Sequence, residues 1–497
     1  MAVYSSEQFF RDWRFAIEDD FVASNGEPFS YAVDGEEEWG DELAKYTFPE
    51  APHDAVVSRD STRMAVAVGW DIHILDLGTW QNLVVLRGHT YRVHGIAFNP
   101  SDANILVSNA QPMYRRRDPD AEPQIIKWNI EEAIKAHGPE EGDLQKIGNA
   151  AALTAGTKLN ELGLKITEEQ LLKLGTTLAP EISRIARQNV LNRVPTLSGR
   201  LGTGFQSETF SPSGDWMVYL PGVAPRSNGS ADWSIEICSS TNFKKHITLR
   251  GHTDAIMWTG WNHDETLFAS VAWDSTTRIW DAATGFQLHK FVTSGQNWTG
   301  AFSPNSEYFV ASCGDGTLHF YSLADGSTHW VYKNPNLCMG WMRAVDWHPA
   351  GKLLAVAQRE GELALLDVEK KETLQMRRLS TAASHVDEEA ERSMMLDFLE
   401  ISQVKFVDQG RKIVFWTWGD GSAEVYDVDK QIKWRFARGG TGHGPRSPEW
   451  RDEKGKVTSK CGNGVVAWED KVDGNLKLAS LDPDGLRVWS IKLRSGA

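Results

Sequence analysis

Residues 251–291 hold a unit whose spacing returns along most of the chain. Gly251-His252 opens it, Trp258-Thr-Gly-Trp-Asn and Leu267-Phe-Ala-Ser-Val follow as two apolar runs, Asp274 stands in the next turn, and Arg278-Ile-Trp-Asp281 closes it. Each run has the length and the aromatic or β-branched content of a strand, and each is bounded by turn formers. Units recurring about every 40 residues cannot bury their apolar faces alone, so they must stack on one another. A count of 21 tryptophans against 10 tyrosines agrees, because it makes Trp a regular structural part.

Reading outward from that copy gives eight units, with seven as the alternative count because several lack the Gly-His or the Trp. The first spans residues 54–87, with Met64-Ala-Val-Ala-Val and Ile72-His-Ile-Leu-Asp76. Gly88-His89 opens the second, which continues through Leu106-Val-Ser and Ile125-Ile-Lys-Trp128. The third is expected to start at Phe205 and to run through Phe210-Ser-Pro-Ser-Gly to Leu249. Trp298-Thr-Gly-Ala-Phe-Ser-Pro, Val345-Asp-Trp-His-Pro and Val404-Lys-Phe mark the fifth, sixth and seventh. The eighth has three strands, ending at Leu486-Arg-Val-Trp489, and Lys45-Tyr-Thr-Phe48 has the pattern of the missing fourth. Such a strand from the other terminus would close a ring and remove its open edge.

The Gly-His, the turn Asp and the Trp-Asp ending make the 251–291 unit resemble a WD40 repeat, and the chain resembles a WD40-type β-propeller over most of its length. That resemblance implies an all-β propeller over residues 43–497, preceded by an extension of residues 1–42 and closed by an N-terminal outer strand. It also implies a structural hydrogen-bond chain from the Trp280 indole through Ser270 and His252 to Asp274. Unpaired, each of those buried groups would cost about 1–3 kcal/mol. A catalytic reading of the same Ser, His and Asp is the weaker one, since a fold alone licenses no chemistry.

The largest departure from the repeat is residues 131–192, in the second blade. Thr167-Glu-Glu-Gln170 is a capping box, and Leu171, Leu174 and Leu178 follow at helical spacing. Pro180 suits the first turn of a second helix, with Ile182, Ile185, Ala186 and Val190 continuing one stripe. The expectation is a helical hairpin whose apolar face packs on the propeller's own flank, with a docking site for a partner as the alternative.

The other long departures are residues 109–123, 221–232, 379–399 and 437–463. In this fold, connections between second and third strands, and between one blade and the next, emerge on one face, so all four elaborate the same rim. They carry the candidate partner-binding residues Arg115, Arg116, Arg117, Arg226, Arg438, His443 and Arg446. An arginine-rich rim suits a protein or acidic peptide partner.

A formal net charge of −15 opposes nonspecific binding to nucleic acid or anionic lipid. The four cysteines have no C-x-x-C spacing, and residues 1–20 have no apolar signal-peptide core. A chain of the cytoplasm or nucleus, neither secreted nor membrane-inserted, is expected. No phosphate-binding loop, metal-spaced Cys/His cluster or nucleophile elbow occurs, so no catalytic residue, cofactor or metal is assigned. The favoured function is a noncatalytic scaffold binding a protein or peptide at the elaborated rim. The alternative is an enzyme with a small-molecule site in the central pocket.

Overall fold

Eight clusters of buried apolar side chains organise the described part of the chain, and each is shared between two successive sheets. Phe268 and Trp280 of one sheet pack with Val218 and Ile235 of the sheet before it, for example. The last sheet returns to the first through Trp468 and Val488 against Met64 and Val66. Eight interfaces that close on themselves define a ring of eight blades. The computed structural model describes residues 22–23, 41–111, 122–136, 141–164, 166–202, 204–222, 233–334, 342–358, 362–378, 401–417, 423–436, 464–482 and 485–493.

Blade one covers residues 52–87, blade two 93–200, blade three 209–252, blade four 256–292 and blade five 297–333. Blade six covers 342–378, blade seven 401–436 and blade eight 464–491. Most are four-stranded antiparallel meanders. The first strand of each lies innermost, against the first strands of its neighbours. A continuous apolar run explains the arrangement: Leu267–Ala272 sends side chains to both sheet faces, and both faces are buried against adjoining blades.

The ring closes as the sequence suggests. Asp41–Thr47 pairs antiparallel with Gly485–Ile491, from Asp41 opposite Ser490 to Thr47 opposite Gly485, and so supplies the outer strand of blade eight. Tyr46 also hydrogen-bonds the Trp80 carbonyl of blade one. The extension contributes a second contact that the sequence did not suggest. Val22–Ala23 adds as a fifth strand to Glu372–Arg378, the outer strand of blade six.

Blade three departs from the expected pattern. Its first strand does not begin at Phe205, because Gly204–Gln206 forms a 3₁₀ turn. Residues 209–211 alone occupy the innermost position, held by the Phe210–Met217 bridge and the Val218 N–H to Thr209 carbonyl bond of 2.9 Å. The outer strand of blade two, Thr196–Arg200, leads into this region and pairs through Arg200 with Leu220.

The inserted helices are α1 (Ile130–Ala136), α2 (Glu141–Glu161) and α3 (Glu168–Leu191). Thr167 and Gln170 form the reciprocal capping box at the start of α3. Pro180 opens no second helix, since α3 runs through it for 24 residues. An interior proline costs a helix about 3 kcal/mol, so packing on both sides of it must outweigh that loss. That packing is chiefly on α2. A Cβ at Gly156 would sit 2.1 Å from Leu171, and Gly175 faces Asn149 and Ala152. The stripe therefore covers the hairpin's own seam for most of its length, and the expectation that it lies on the propeller flank holds only for its last turns. There Val190 and Leu191 join the core between blades one and two, and Arg187 reaches Asp71 at 2.6 Å.

Candidate functional site

The structure brings His252, Ser270, Asp274 and Trp280 into one chain of hydrogen bonds. Trp280 Nε1 lies 3.0 Å from Ser270 Oγ, Ser270 Oγ 2.8 Å from His252 Nε2, and His252 Nδ1 2.9 Å from Asp274 Oδ2. An indole N–H can only donate, so the serine hydroxyl passes its own proton toward Nε2, and Nδ1–H then donates to the carboxylate. Asp274 also accepts the backbone N–H groups of Thr253 and Thr276. Burial holds the His252 pKa below the ordinary histidine value despite the opposing pull of Asp274.

These distances are those of a Ser-His-Asp triad, and burial decides against that role. Ser270 is 0% exposed, and the Trp280 indole takes up its oxygen. A substrate carbonyl has no path to it. Blade two repeats the device with His89 Nε2 at 2.6 Å from Ser108 Oγ and Trp128 Nε1 at 2.8 Å from the same oxygen. The sequence carried the signal for this second copy in Gly88-His89, Ser108 and Trp128. Burial first, and the Arg187 charge second, push the His89 pKa down to about 3.

At the centre of the ring the chain between blades two and three crosses the channel. The Gln206 carbonyl accepts the Trp258 indole N–H of blade four at 3.3 Å. Its side-chain Nε2 donates to the Val404 carbonyl of blade seven at 2.9 Å, and Oε1 accepts the Val345 N–H of blade six at 3.2 Å. Gln206 holds a φ of 65°, a left-handed backbone rarely taken by a non-glycine residue. Space for the Trp258 ring depends on Gly260, where a Cβ would fall 2.7 Å from it.

Carboxylates on the innermost segments latch successive blades around this crossing. Asp54 of blade one accepts the Ile96 N–H of blade two. Glu208 accepts the Trp261 N–H of blade four at 3.2 Å, and Asp346 of blade six the Phe406 N–H of blade seven at 2.6 Å. Gln403 does the same for Val465 of blade eight at 2.9 Å. Desolvation by the adjoining blades pushes Asp54 and Glu208 up to about 7 and Asp346 to about 6, with Asp54 and Asp346 half-buried and Glu208 exposed toward the channel. Gln206 and these latches were not anticipated, because each joins residues far apart in sequence.

The candidate partner-binding residues Arg115, Arg116, Arg117, Arg226, Arg438, His443 and Arg446 lie outside the described residues, and so does most of each long connection. The strands that flank them are described. Residues 112–121 and 223–232 join second to third strands within blades two and three, whereas 379–400 and 437–463 join blade six to seven and seven to eight. Among the described residues no group of three or more His, Cys, Asp or Glu side chains could hold a metal ion. No described helix is long and apolar enough to cross a membrane.

Comparison with known proteins gives three matches to family models. The WD domain, G-beta repeat model matches residues 243–281 and 286–322, and the anaphase-promoting complex subunit 4 WD40 domain model matches residues 340–418. Protein HIR1 of Cryptococcus neoformans var. neoformans is 26% identical over 153 residues, which are 29% of this chain and 17% of that protein. WD repeat-containing protein AAC3 of Dictyostelium discoideum is 28% identical over 147 residues, 29% of this chain and 30% of that one. Histone acetyltransferase type B subunit 2 of Candida glabrata is 34% identical over 107 residues, 20% and 26% of the two chains. The chain therefore spans well under half the length of each of these relatives. With family models matched across blades four, five and six and the first half of blade seven, and with eight blades closed into a ring, the chain is a WD40-repeat β-propeller.

Proposed function

We propose that this propeller is a noncatalytic scaffold that binds a protein or acidic peptide partner on its elaborated face, and that it works in the cytoplasm or nucleus. The observation that carries this reading is the Gln206 crossing. An enzyme of this fold would place a small molecule in the central channel, and here the chain's own backbone and side chain span that space between blades four, six and seven. The four long connections leave the same ends of their blades, which supports a broad recognition surface on that face. Arg115, Arg116, Arg117, Arg226, Arg438, His443 and Arg446 supply a cationic set for an acidic partner, against a net charge of −15 that disfavours polyanions in general. Names of relatives such as the histone acetyltransferase subunit point the same way, toward a role in assemblies.

The test pairs affinity purification from lysate with a thermal-shift screen of metabolites. Specific protein partners without a small-molecule shift support the scaffold. A metabolite that raises the melting temperature, and loses that effect when Gln206 is replaced, would favour the channel enzyme instead.

A further inference from the structure

We propose that the cleft between the outer strand of blade one and helices α1 and α3 is a second docking site, which takes an extended acidic and apolar peptide of a partner protein as a fifth strand.

The cleft has a volume of about 270 Å³ and borders Val84, Val85, Leu86 and Arg87 in succession. Successive side chains of a strand point to opposite faces, so four consecutive residues can border one cleft only if it runs along the strand's edge. Asn82–Arg87 pairs on its inner side with Asp71–Asp76, and among the described residues no strand pairs with its outer side. A peptide lying there would be held by main-chain hydrogen bonds on one side and by side-chain packing on a helix on the other, a recognised mode of strand addition. The same molecule shows that an outer edge accepts an extra strand, since Val22–Ala23 occupies the corresponding edge of blade six.

The helical wall is apolar, with Ala133, Ala186 and Val190, and it suits alternate aliphatic side chains of the peptide. Its polar rim is cationic. Arg87 and Arg187 both pair with Asp71, at 3.3 and 2.6 Å. Arg193 borders the cleft, is exposed, and is paired with no carboxylate among the described residues. Glu132 is the acidic residue on the lining. The exposed guanidinium of Arg193 on this rim selects an acidic occupant. Because α1 and α3 lie in the connection between third and fourth strands of blade two, this surface is on the face opposite the long connections and is independent of them.

The probe is a fluorescein-labelled synthetic peptide of alternating valine and glutamate, titrated against the full chain by anisotropy, with a valine-lysine peptide as control. The glutamate peptide should bind, the lysine peptide should bind at least about tenfold more weakly, and Arg193→Glu should reverse that order. Hydrogen exchange should slow at the amides of Asn82–Arg87 when the peptide is bound. Ala186→Trp fills the cleft and should abolish binding, and Ser183→Trp at its margin does so should the first variant fold poorly. Absence of binding overturns the proposal, as does binding that leaves those amides unprotected or is unmoved by Arg193→Glu. If removing residues 1–21 strengthens peptide binding, the chain's own acidic segment is the occupant, and the assignment to a partner is wrong.

Discussion

Gln206 Nε2 donates to the Val404 carbonyl at 2.9 Å, a bond between residues 198 apart in sequence that ties the passage from blade two to blade three across the channel to blade seven. Its Oε1 completes the bridge by accepting the Val345 N–H. Gln206→Ala removes both bonds, and because channel water can replace them the loss should be about 1 kcal/mol. The sharper readout is hydrogen exchange at the Val345 amide, which should quicken in the variant. An unchanged rate there would mean that the side chain does not make the crossing in solution.

Trp280→Phe and Trp128→Phe each remove the indole donor at the head of a buried chain, leaving Ser270 or Ser108 short of a partner. Each should destabilise by about 1–3 kcal/mol. The two sites lie in different blades and share no partner, so the double variant should be additive to within about 0.5 kcal/mol. Thermal and urea unfolding measure both effects. Lost partner binding at an unchanged melting temperature would return these residues to a functional role.

The channel carboxylates give a dependence on pH whose sign follows from their raised pKa values. Asp54 and Glu208 bind protons in the folded protein up to about pH 7, whereas the unfolded chain releases them near the ordinary carboxylate value of about 4. Their contribution is therefore full below about pH 4 and is lost as pH rises through about 7. Asp54→Asn and Glu208→Gln keep a carbonyl acceptor for the Ile96 and Trp261 N–H groups but cannot ionise. The paired variant should match the parent at or below about pH 4 and exceed it at pH 8 by about 1 kcal/mol, after allowance for water in the channel. Equal stability at pH 8 would show that the carboxylates ionise without penalty.

Deleting residues 1–49 removes Asp41–Thr47 and leaves the outer edge of Gly485–Ile491 unpaired. It also removes Val22–Ala23 from blade six and the Tyr46 tie to Trp80. An exposed strand edge recruits other edges, so the truncated chain should self-associate in light scattering and melt earlier. A monomer of parental stability would mean that blade eight does not depend on that strand.

How far the sequence could be read depends on whether each feature is local. The blades follow from recurrent short apolar runs such as Leu267–Ala272, and the closing strand from a short match beside Tyr46, so both were legible. The His252 chain was legible because all four members fall at fixed places within one repeat. Helix α2 was missed because Ala152 and Gly156 give its buried seam no apolar contrast, although they are what lets α3 approach. Pro180 misled because its local preference for a helix start is weaker than the packing around it. Gln206 could not be found from pattern at all, since its partners Val404, Val345 and Trp258 are supplied by three blades.

The rim and the inserted hairpin can be altered separately, because they belong to connections that leave opposite ends of blade two. Changing Arg115, Arg116 and Arg117 together to Glu reverses charge between Asp102–Ala110 and Gln124–Asn129, whose pairing does not involve those residues. Folding should be unaffected, and affinity for an acidic partner should fall, with the larger loss at low salt where screening is weakest. Replacing residues 141–182 by a short Gly/Ser loop keeps α1 together with Arg187, Val190 and Leu191, which are what fasten the insertion to blade one. Since α2 and the first part of α3 pack mainly on each other, their loss should lower the melting temperature by no more than about 2 °C. Rim affinity should stay unchanged in that variant. Partner affinity and melting temperature measured on both proteins decide the matter: binding lost only when the hairpin is removed would move the main recognition site to the helices and away from the arginine-bearing connections.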